Sequence, residues 1–389
     1  MVTAPRSETP LSREILFYSD FPLGFHMADA QVRMTRFVAR GYQVHFVQPL
    51  GVRNPGPRHA LRIMRVLLPR QARAEGTAVP FDVFSPKLLP PRRAPLVGRL
   101  NRAWLARQLL GLIEDPAQTV FWLRYPTPEL VPLVLSQPWR AVVYEAIDDH
   151  DNSPGMNDRL RRICREAERQ ILPRAGVVFV SSEPMRERMA RVHPNVIRAP
   201  AAAVDVAAFA PPASQSPDHR RVAAYAGSID FRFDSELVAS AAERLPDWRF
   251  VIAGPVDRRA KGRLDELPNV HLAGRLPAED IPSLLAGAGV CLMPYREHAF
   301  NDAVFPVKLV EYLAAGKPIV STPIDAIREF GDLVTVGTDP SSFASAIVAA
   351  AQSDSEEARA RRIERARSFS WESRMDQLQD AVEAAARKP

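Results

Sequence analysis

At 389 residues, 46% hydrophobic and 25% charged, the chain has the size of two average globular domains, each able to bury an ordinary core. No run approaches the roughly 20 apolar residues of a membrane-spanning helix, and the opening MVTAPRSETPLSRE lacks the apolar core of a secretory signal. The formal charge of +6 is uneven: residues 51–110 hold twelve basic and two acidic side chains, a net +10, leaving −4 for the rest. Such a block attracts anionic lipid headgroups or polyphosphates, or is simply a solvated basic surface. It lacks the interleaved aromatics or zinc spacing of a nucleic-acid module. Cys164 and Cys291 stand far apart, with no metal-ligand spacing, and read as small, partly buried hydrophobes in a reducing cytoplasm.

In chain order, Glu14–Ser19 reads as a strand, Ala28–Arg40 as an amphipathic helix closed by Gly41, and Gln43–Gln48 as a second strand. From Leu50 to about Pro95 the sequence is rich in proline and arginine and predicts loops with short helices. Thr119–Arg124, Ala141–Glu145 and Val177–Ser181 are further strands. Asn157–Leu172 has helical spacing, with Leu160, Ile163, Cys164, Ala167 and Ile171 on one face. Residues 199–220, dominated by alanine, proline, serine and aspartate, read as a linker.

A second alternating series opens at Val222–Gly227 and continues with strands Arg249–Ala253, Val270–Leu272, Gly289–Met293 and Pro318–Ser321. Helices are predicted at Ser235–Leu245, Ala278–Ala288 and Val307–Ala315, and the tail from Ser342 is mostly helical. Alternating strands and helices predict an α/β protein of two domains, each a parallel sheet covered by helices. The expected division is an N-terminal domain over 1–200, a linker over 201–220, a C-terminal domain over 221–370, and a final helix over 371–389 packing back on the N-terminal domain. Ligands of such sheets bind beyond the carboxyl ends of the strands.

The most informative segment is Asn301–Pro323, NDAVFPVKLVEYLAAGKPIVSTP. Pro306 suits the start of a helix, and Lys308 and Glu311, three apart, share a face near that helix N-terminus. Free N–H groups, the helix dipole and a lysine one turn in favour a bound phosphate; a carboxylate just beyond can accept from ribose hydroxyls. On spacing alone, a surface Lys–Glu pair is the commoner arrangement. Gly316-Lys317 lacks the frame of a P-loop, and no G-x-G-x-x-G follows a strand, which disfavours a dehydrogenase. In the first half, Asp148-Asp149-His150-Asp151 follows a strand directly. Adjacent aspartates there bind a metal, act as base toward a hydroxyl, or cap a turn. His26 and Arg124 with Tyr125 also follow strands and are candidates to line the same edge.

The run FPVKLVEYLAAGKPIVSTP resembles the donor-binding signature of retaining glycosyltransferases of family 4, especially an exopolysaccharide and teichuronic-acid-type branch. VVYEAIDDHDNSPG, GVVFVSSEPM, AAAVDVAAFA and YAGSIDFRFDSELVASAAERLPDWRFVIAGP resemble further segments of that branch in the same order, over roughly residues 12–375. The resemblance implies a GT-B fold, two Rossmann-like domains facing across a cleft. It also implies transfer of a sugar from a nucleoside-diphosphate-sugar to an acceptor hydroxyl with retention, without a metal or other cofactor. The acceptor would be a saccharide, a lipid-linked saccharide or a small molecule in cell-surface polysaccharide or glycolipid biosynthesis, at a cytoplasmic site peripheral to the inner membrane face.

It further implies that Glu311 is the second glutamate of an E-x7-E motif and binds the ribose. The first falls on Ala303, with Asn301 or Asp302 as candidates to compensate. Gly227, Ser228, Arg232, Asp302, Val307, Lys308 and Glu311 become the expected donor-binding set. Asp148, Asp149, His26 and Arg124 become the expected catalytic and acceptor side. The alternatives are a non-catalytic nucleotide-sugar-binding partner, a small-metabolite glycosyltransferase and a nucleotide-sugar epimerase of the same fold.

Overall fold

The computed structural model describes residues 13–23, 29–50, 79–89, 95–147, 149, 152, 156–199, 203–210 and 220–387. The chain divides into two compact units. The first takes 1–180, 186–198 and 377–389; the second takes 181–185 and 199–376.

The first unit contains strands β1 (Glu14–Tyr18), β2 (Gln43–Val47), β3 (Asp82–Phe84), β4 (Thr119–Leu123), β5 (Ala141–Ala146), β6 (Val177–Val180) and β7 (Val196–Arg198). They form one parallel sheet in the order β3-β2-β1-β4-β5-β6-β7. Its helices are α1 (Asp29–Ala39), α2 (Pro95–Leu110), α3 (Val131–Ser136), α4 (Asp158–Ile171) and α5 (Glu183–Ala190), which begins in the second unit. All residues of β1, β4 and β5 are buried, as expected of central parallel strands covered on both faces. Trp122 of β4 sits between Phe17, Phe37 and Phe179, with ring centroids 5.6 to 6.0 Å away. Gly41 closes α1 with a φ of 86°, its N–H donating to the Val38 carbonyl.

The second unit contains β8 (Val222–Ala226), β9 (Arg249–Ala253), β10 (Val270–Gly274), β11 (Val290–Met293), β12 (Ile319–Ser321) and β13 (Val334–Val336). These strands are also all parallel, in the order β10-β9-β8-β11-β12-β13. Its helices are α6 (Ser235–Arg244), α7 (Ile281–Ala286), α8 (Ala299–Ala303), α9 (Val307–Ala314), α10 (Pro340–Gln352), α11 (Glu356–Arg367) and the first turns of α12 (Trp371–Arg387). Leu309, Val310 and Leu313 of α9 pack on one side of the sheet; Phe343 and Ile347 of α10 pack on the other with α6. The helix expected over Ala278–Ala288 is split: a 3-10 turn covers Ala278–Asp280 and the α-helix starts at Ile281. Pro282 is the reason, since proline fits a first turn and breaks a helix interior.

The remaining turns of α12 belong to the first unit. There Ala385 lies against Gly176, and Gln379 and Glu383 accept from Arg40 and Tyr42. Among the described residues no helix is long and apolar enough to cross a membrane. Strand order reverses between β1 and β4 in the first sheet and between β8 and β11 in the second, and ligands of open parallel sheets bind at such points.

Candidate active site

At the switch point of the second unit, the chain leaves β8 through Gly227 and Ser228. Two glycines make this corner possible. A Cβ on Gly254 would stand 1.9 Å from the Gly227 carbonyl oxygen, and a Cβ on Gly227 would stand 2.7 Å from Lys308 Cε. The space a side chain would need at both glycines is therefore taken by the chain itself, at Gly227 by the head of the lysine of α9. Lys308 Nζ donates to the Tyr295 hydroxyl at 2.9 Å and lies 5.0 and 5.2 Å from the Tyr225 and Tyr295 ring centroids. Tyr225 donates through its hydroxyl to the Ser228 carbonyl.

Burial works against the lysine charge, but the two phenol oxygens outweigh it and hold the ammonium above the ordinary lysine range. Burial also pushes the Tyr225 phenol up to about 12, so this tyrosine is a neutral donor at physiological pH. Lys308 is thus a fixed cation at the mouth of β8, flanked by aromatic faces that favour a cation.

Glu311, one turn further along α9, is half-buried. Burial raises its carboxyl above the usual glutamate range, and the nearby Lys308 charge only partly offsets this. Val307, the first residue of α9, is 37% exposed. Pro306 at the N-cap has an extended backbone and no side-chain cap, leaving the first N–H groups of the helix without a side-chain acceptor from the cap.

Arg232 is not a free counter-charge. Its guanidinium grips the Asp230 carboxylate through Nε and Nη2, and this keeps Asp230 ionised below the ordinary aspartate range despite burial. The Asn301 amide donates to the carbonyls of Arg296 (2.7 Å) and Arg232 (3.4 Å), so this candidate to replace the missing motif glutamate is already engaged. Ala303 is buried, and its carbonyl accepts from Ser182. Asp302 instead lines a cavity of about 970 Å³ with Tyr295 and Thr322, beyond the carboxyl ends of β11 and β12. Gly227, Ser228, Lys308, Glu311 and Val307 are therefore brought together, Asp302 lines a cavity that it shares with Tyr295, the partner of Lys308, and Arg232 is held by its own aspartate.

In the first unit, Arg124 follows β4 and is 4% exposed. It donates to both oxygens of Asp29 at 3.2 Å, lies 3.3 Å from Asp20 and 3.7 Å from Glu145. Glu145 also accepts from Arg33 and, at 2.9 Å, from Trp122 Nε1. Two arginines and three carboxylates thus interlock at the carboxyl end of β1, β4 and β5. The two arginines keep Glu145 charged below the usual glutamate range against its burial, whereas burial pushes Asp20 up to about 6 despite Arg124. Asp149 is also buried, accepting from Arg188 at 3.0 Å and Asn152 at 2.6 Å. His26 and Asp148 lie outside the described residues.

Among the described residues no three His, Cys, Asp or Glu side chains gather as a metal site. The tyrosines flanking Lys308 and the partners of Arg124 escaped the sequence reading. The tyrosines end or follow apolar strands and look like core, and Glu145 sits inside a strand with no partner in sequence reach.

Two parallel-sheet Rossmann-like α/β domains, with a cation and carboxylate at the switch point of the second, define the GT-B class of folds. Residues 222–353 match the family described as glycosyl transferases group 1. A curated relative, the putative teichuronic acid biosynthesis glycosyltransferase TuaH of Bacillus subtilis, is 26% identical over 250 residues, 58% of this chain and 62% of TuaH. The match thus spans less than two thirds of that relative. Among solved structures, the sucrose-phosphate synthase of Thermosynechococcus elongatus superposes with a TM-score of 0.68 at 16% identity, over 95% of this chain and 98% of that one. Anabaena Alr3699/HepE in complex with UDP-glucose gives 0.65 at 14% identity, over 95% and 99%. At such identities these likenesses establish the fold.

Proposed function

We propose that the protein is a glycosyltransferase that moves a sugar from a nucleoside-diphosphate-sugar to an acceptor hydroxyl with retention, in cell-surface polysaccharide or glycolipid biosynthesis. The observation that carries this reading is the packing of the Lys308 head against the Gly227 corner, one turn before Glu311, inside the segment that matches the group 1 family. Gly227 and Ser228 admit the diphosphate, Lys308 and the first N–H groups of α9 neutralise it, and Glu311 accepts from the ribose hydroxyls. The UDP-glucose complex of the structural neighbour supports the donor class, and the teichuronic-acid relative supports the polysaccharide setting.

In the transfer, the bond from the anomeric carbon to the phosphate oxygen breaks and a bond to the acceptor oxygen forms on the same face. The acceptor proton passes to the departing phosphate oxygen, and no enzymic nucleophile or metal is invoked. Negative charge grows on the diphosphate as the bond breaks, and preorganised cations and N–H groups lower that barrier. Acceptor contact falls to the first unit, at Asp148, Asp149 and His26, with Arg124 holding Asp20 and Asp29 at the same strand ends. The acceptor is a saccharide, lipid-linked at an anionic, cytoplasmic membrane face that the protein contacts peripherally.

A non-catalytic sugar-nucleotide-binding partner is the second reading, favoured by Ala303 and the engaged amide of Asn301. Incubation with nucleotide-sugars and saccharide acceptors separates the two. Acceptor-dependent release of nucleoside diphosphate, with the donor's anomeric configuration kept in the product, supports transfer. Inversion contradicts the mechanism, and binding without any turnover supports the second reading.

A further inference from the structure

Helix α2 is fastened by its inner stripe. Asn101, Leu105 and Leu109 are fully buried. The Asn101 amide pairs with both backbone groups of Leu89, and that of Gln108 with both of Lys87. The outer stripe, four and seven residues apart, carries Leu96, Leu100, Ala103 and Arg107. Leu96 is 74% exposed and Leu100 61%, the largest apolar exposures among the described residues of the first unit apart from Val192.

Around them the charge is mostly positive. The helix PLVGRLNRAWLARQLL contains three arginines and no acid. Beside it, a groove of about 640 Å³ between α2, α3 and α4 has an apolar floor including Pro132 and Ile163, arginines at Arg102, Arg159 and Arg162, and one carboxylate, Glu166, whose charge Arg169 neutralises. Among the described residues, Arg99, Arg102, Arg107, Arg159 and Arg162 form no ion pair, unlike their neighbours Arg161 and Arg169, which pair with Asp158 and Glu166.

We infer that this face is the membrane contact: Leu96 and Leu100 of α2 enter the headgroup–acyl boundary of an anionic phospholipid leaflet, and the arginine-lined groove beside them takes lipid phosphate. The inference names the surface for the peripheral contact proposed above and rests on that part of the reading. Leucines gain by leaving water for the acyl boundary, while arginines stay at headgroup depth and pair with phosphate. A base-stacking surface for nucleic acid needs exposed aromatics, and this stripe has none.

The test is co-sedimentation of the full chain with vesicles of phosphatidylglycerol and phosphatidylcholine, against phosphatidylcholine alone. The wild type binds the mixed vesicles at low salt, binds phosphatidylcholine far less, and is released as salt rises. Leu96→Ser with Leu100→Ser weakens binding about tenfold or more. Arg99→Gln, Arg102→Gln, Arg159→Gln and Arg162→Gln together weaken it more than about a hundredfold, each arginine contributing roughly fivefold.

Absence of binding at low salt, equal binding to neutral vesicles, or variants that bind like the wild type overturn the inference; the last would place the contact elsewhere on the chain. Self-association in place of vesicle binding also overturns it, since the stripe would then meet a second copy. Each variant is checked for the wild-type melting temperature and for stabilisation by nucleoside diphosphates. That second readout reports on the transferase reading alone, so the two can fail separately.

Discussion

Replacing Gly227 by alanine places a methyl carbon 2.7 Å from Lys308 Cε, 2.8 Å from its Nζ and 2.9 Å from the Tyr225 hydroxyl. Ordinary contacts between such atoms need about 3.5–4.0 Å, so the lysine head must withdraw by roughly 1 Å. Lysine is flexible and can do so, which makes its displacement the first consequence. The backbone at Gly227 has a φ of 158°, at the edge of what a side chain tolerates, and strain there adds a stability cost of about 1–3 kcal/mol. The two effects have separate readouts. Urea denaturation of the ligand-free variant reports the strain, and calorimetric titration with nucleoside diphosphates reports the lysine. If Lys308 is the counter-charge, its displacement removes much of a charge-assisted contact of about 1.5–3 kcal/mol, an affinity loss of roughly ten- to a hundredfold. A Gly227→Ala protein that loses stability but binds nucleotide like the wild type refutes this reasoning and removes Lys308 from the donor site.

The same corner predicts a harsher result at its other glycine. Gly254→Ala drives a Cβ to 1.9 Å from a backbone oxygen, which no side-chain movement relieves, so it lowers stability by more than about 3 kcal/mol or prevents folding; an unchanged urea midpoint contradicts the geometry. Glu145→Ala leaves Arg33 and Arg124 buried without their shared carboxylate and costs about 3–5 kcal/mol by denaturation; a loss under about 1 kcal/mol would mean that Asp20 and Asp29 suffice. Burial raises Glu311 in the folded protein above its unfolded value, so the folded state keeps a proton that the unfolded chain has released. This contribution to stability is present below the ordinary glutamate range and is lost as pH rises through the folded value. Ligand-free Glu311→Gln therefore melts above the wild type at neutral pH and alike at acid pH, while its nucleotide affinity falls; melting below the wild type at neutral pH contradicts the assigned burial.

Much of the fold was legible because central parallel strands announce themselves. EILFY, TVFWL and AVVYEA are nearly continuous apolar runs, and each is a fully buried strand. The three-residue strands β3, β7 and β13 were not foreseen, since three residues are too few to show a period and only pairing with a longer neighbour defines them. Helix α2 was not foreseen: Leu96 and Leu100 put apolar residues on the face that solvent sees, so no one-sided stripe marks it.

For the site, the helix start at Pro306 and the Lys308–Glu311 spacing were readable as local features. That Lys308 touches Gly227 was not, because the contact joins residues 81 positions apart through the pairing of β8 with β11. Arg124 shows the opposite problem. A cation after a strand suggests a site, but only the folded chain reveals that Asp29, Asp20 and Glu145 surround it.

The central claim is that a nucleoside-diphosphate-sugar binds where α9 meets the end of β8, and the most direct measurement is calorimetric titration of nucleoside diphosphates and their sugars into wild type and Lys308→Met. The account predicts that one base is preferred, with Lys308→Met weakening it by about ten- to a hundredfold while the fold is kept. A nucleotide that binds the wild type and Lys308→Met equally well would contradict the site, and binding of no nucleotide-sugar at all would contradict the function.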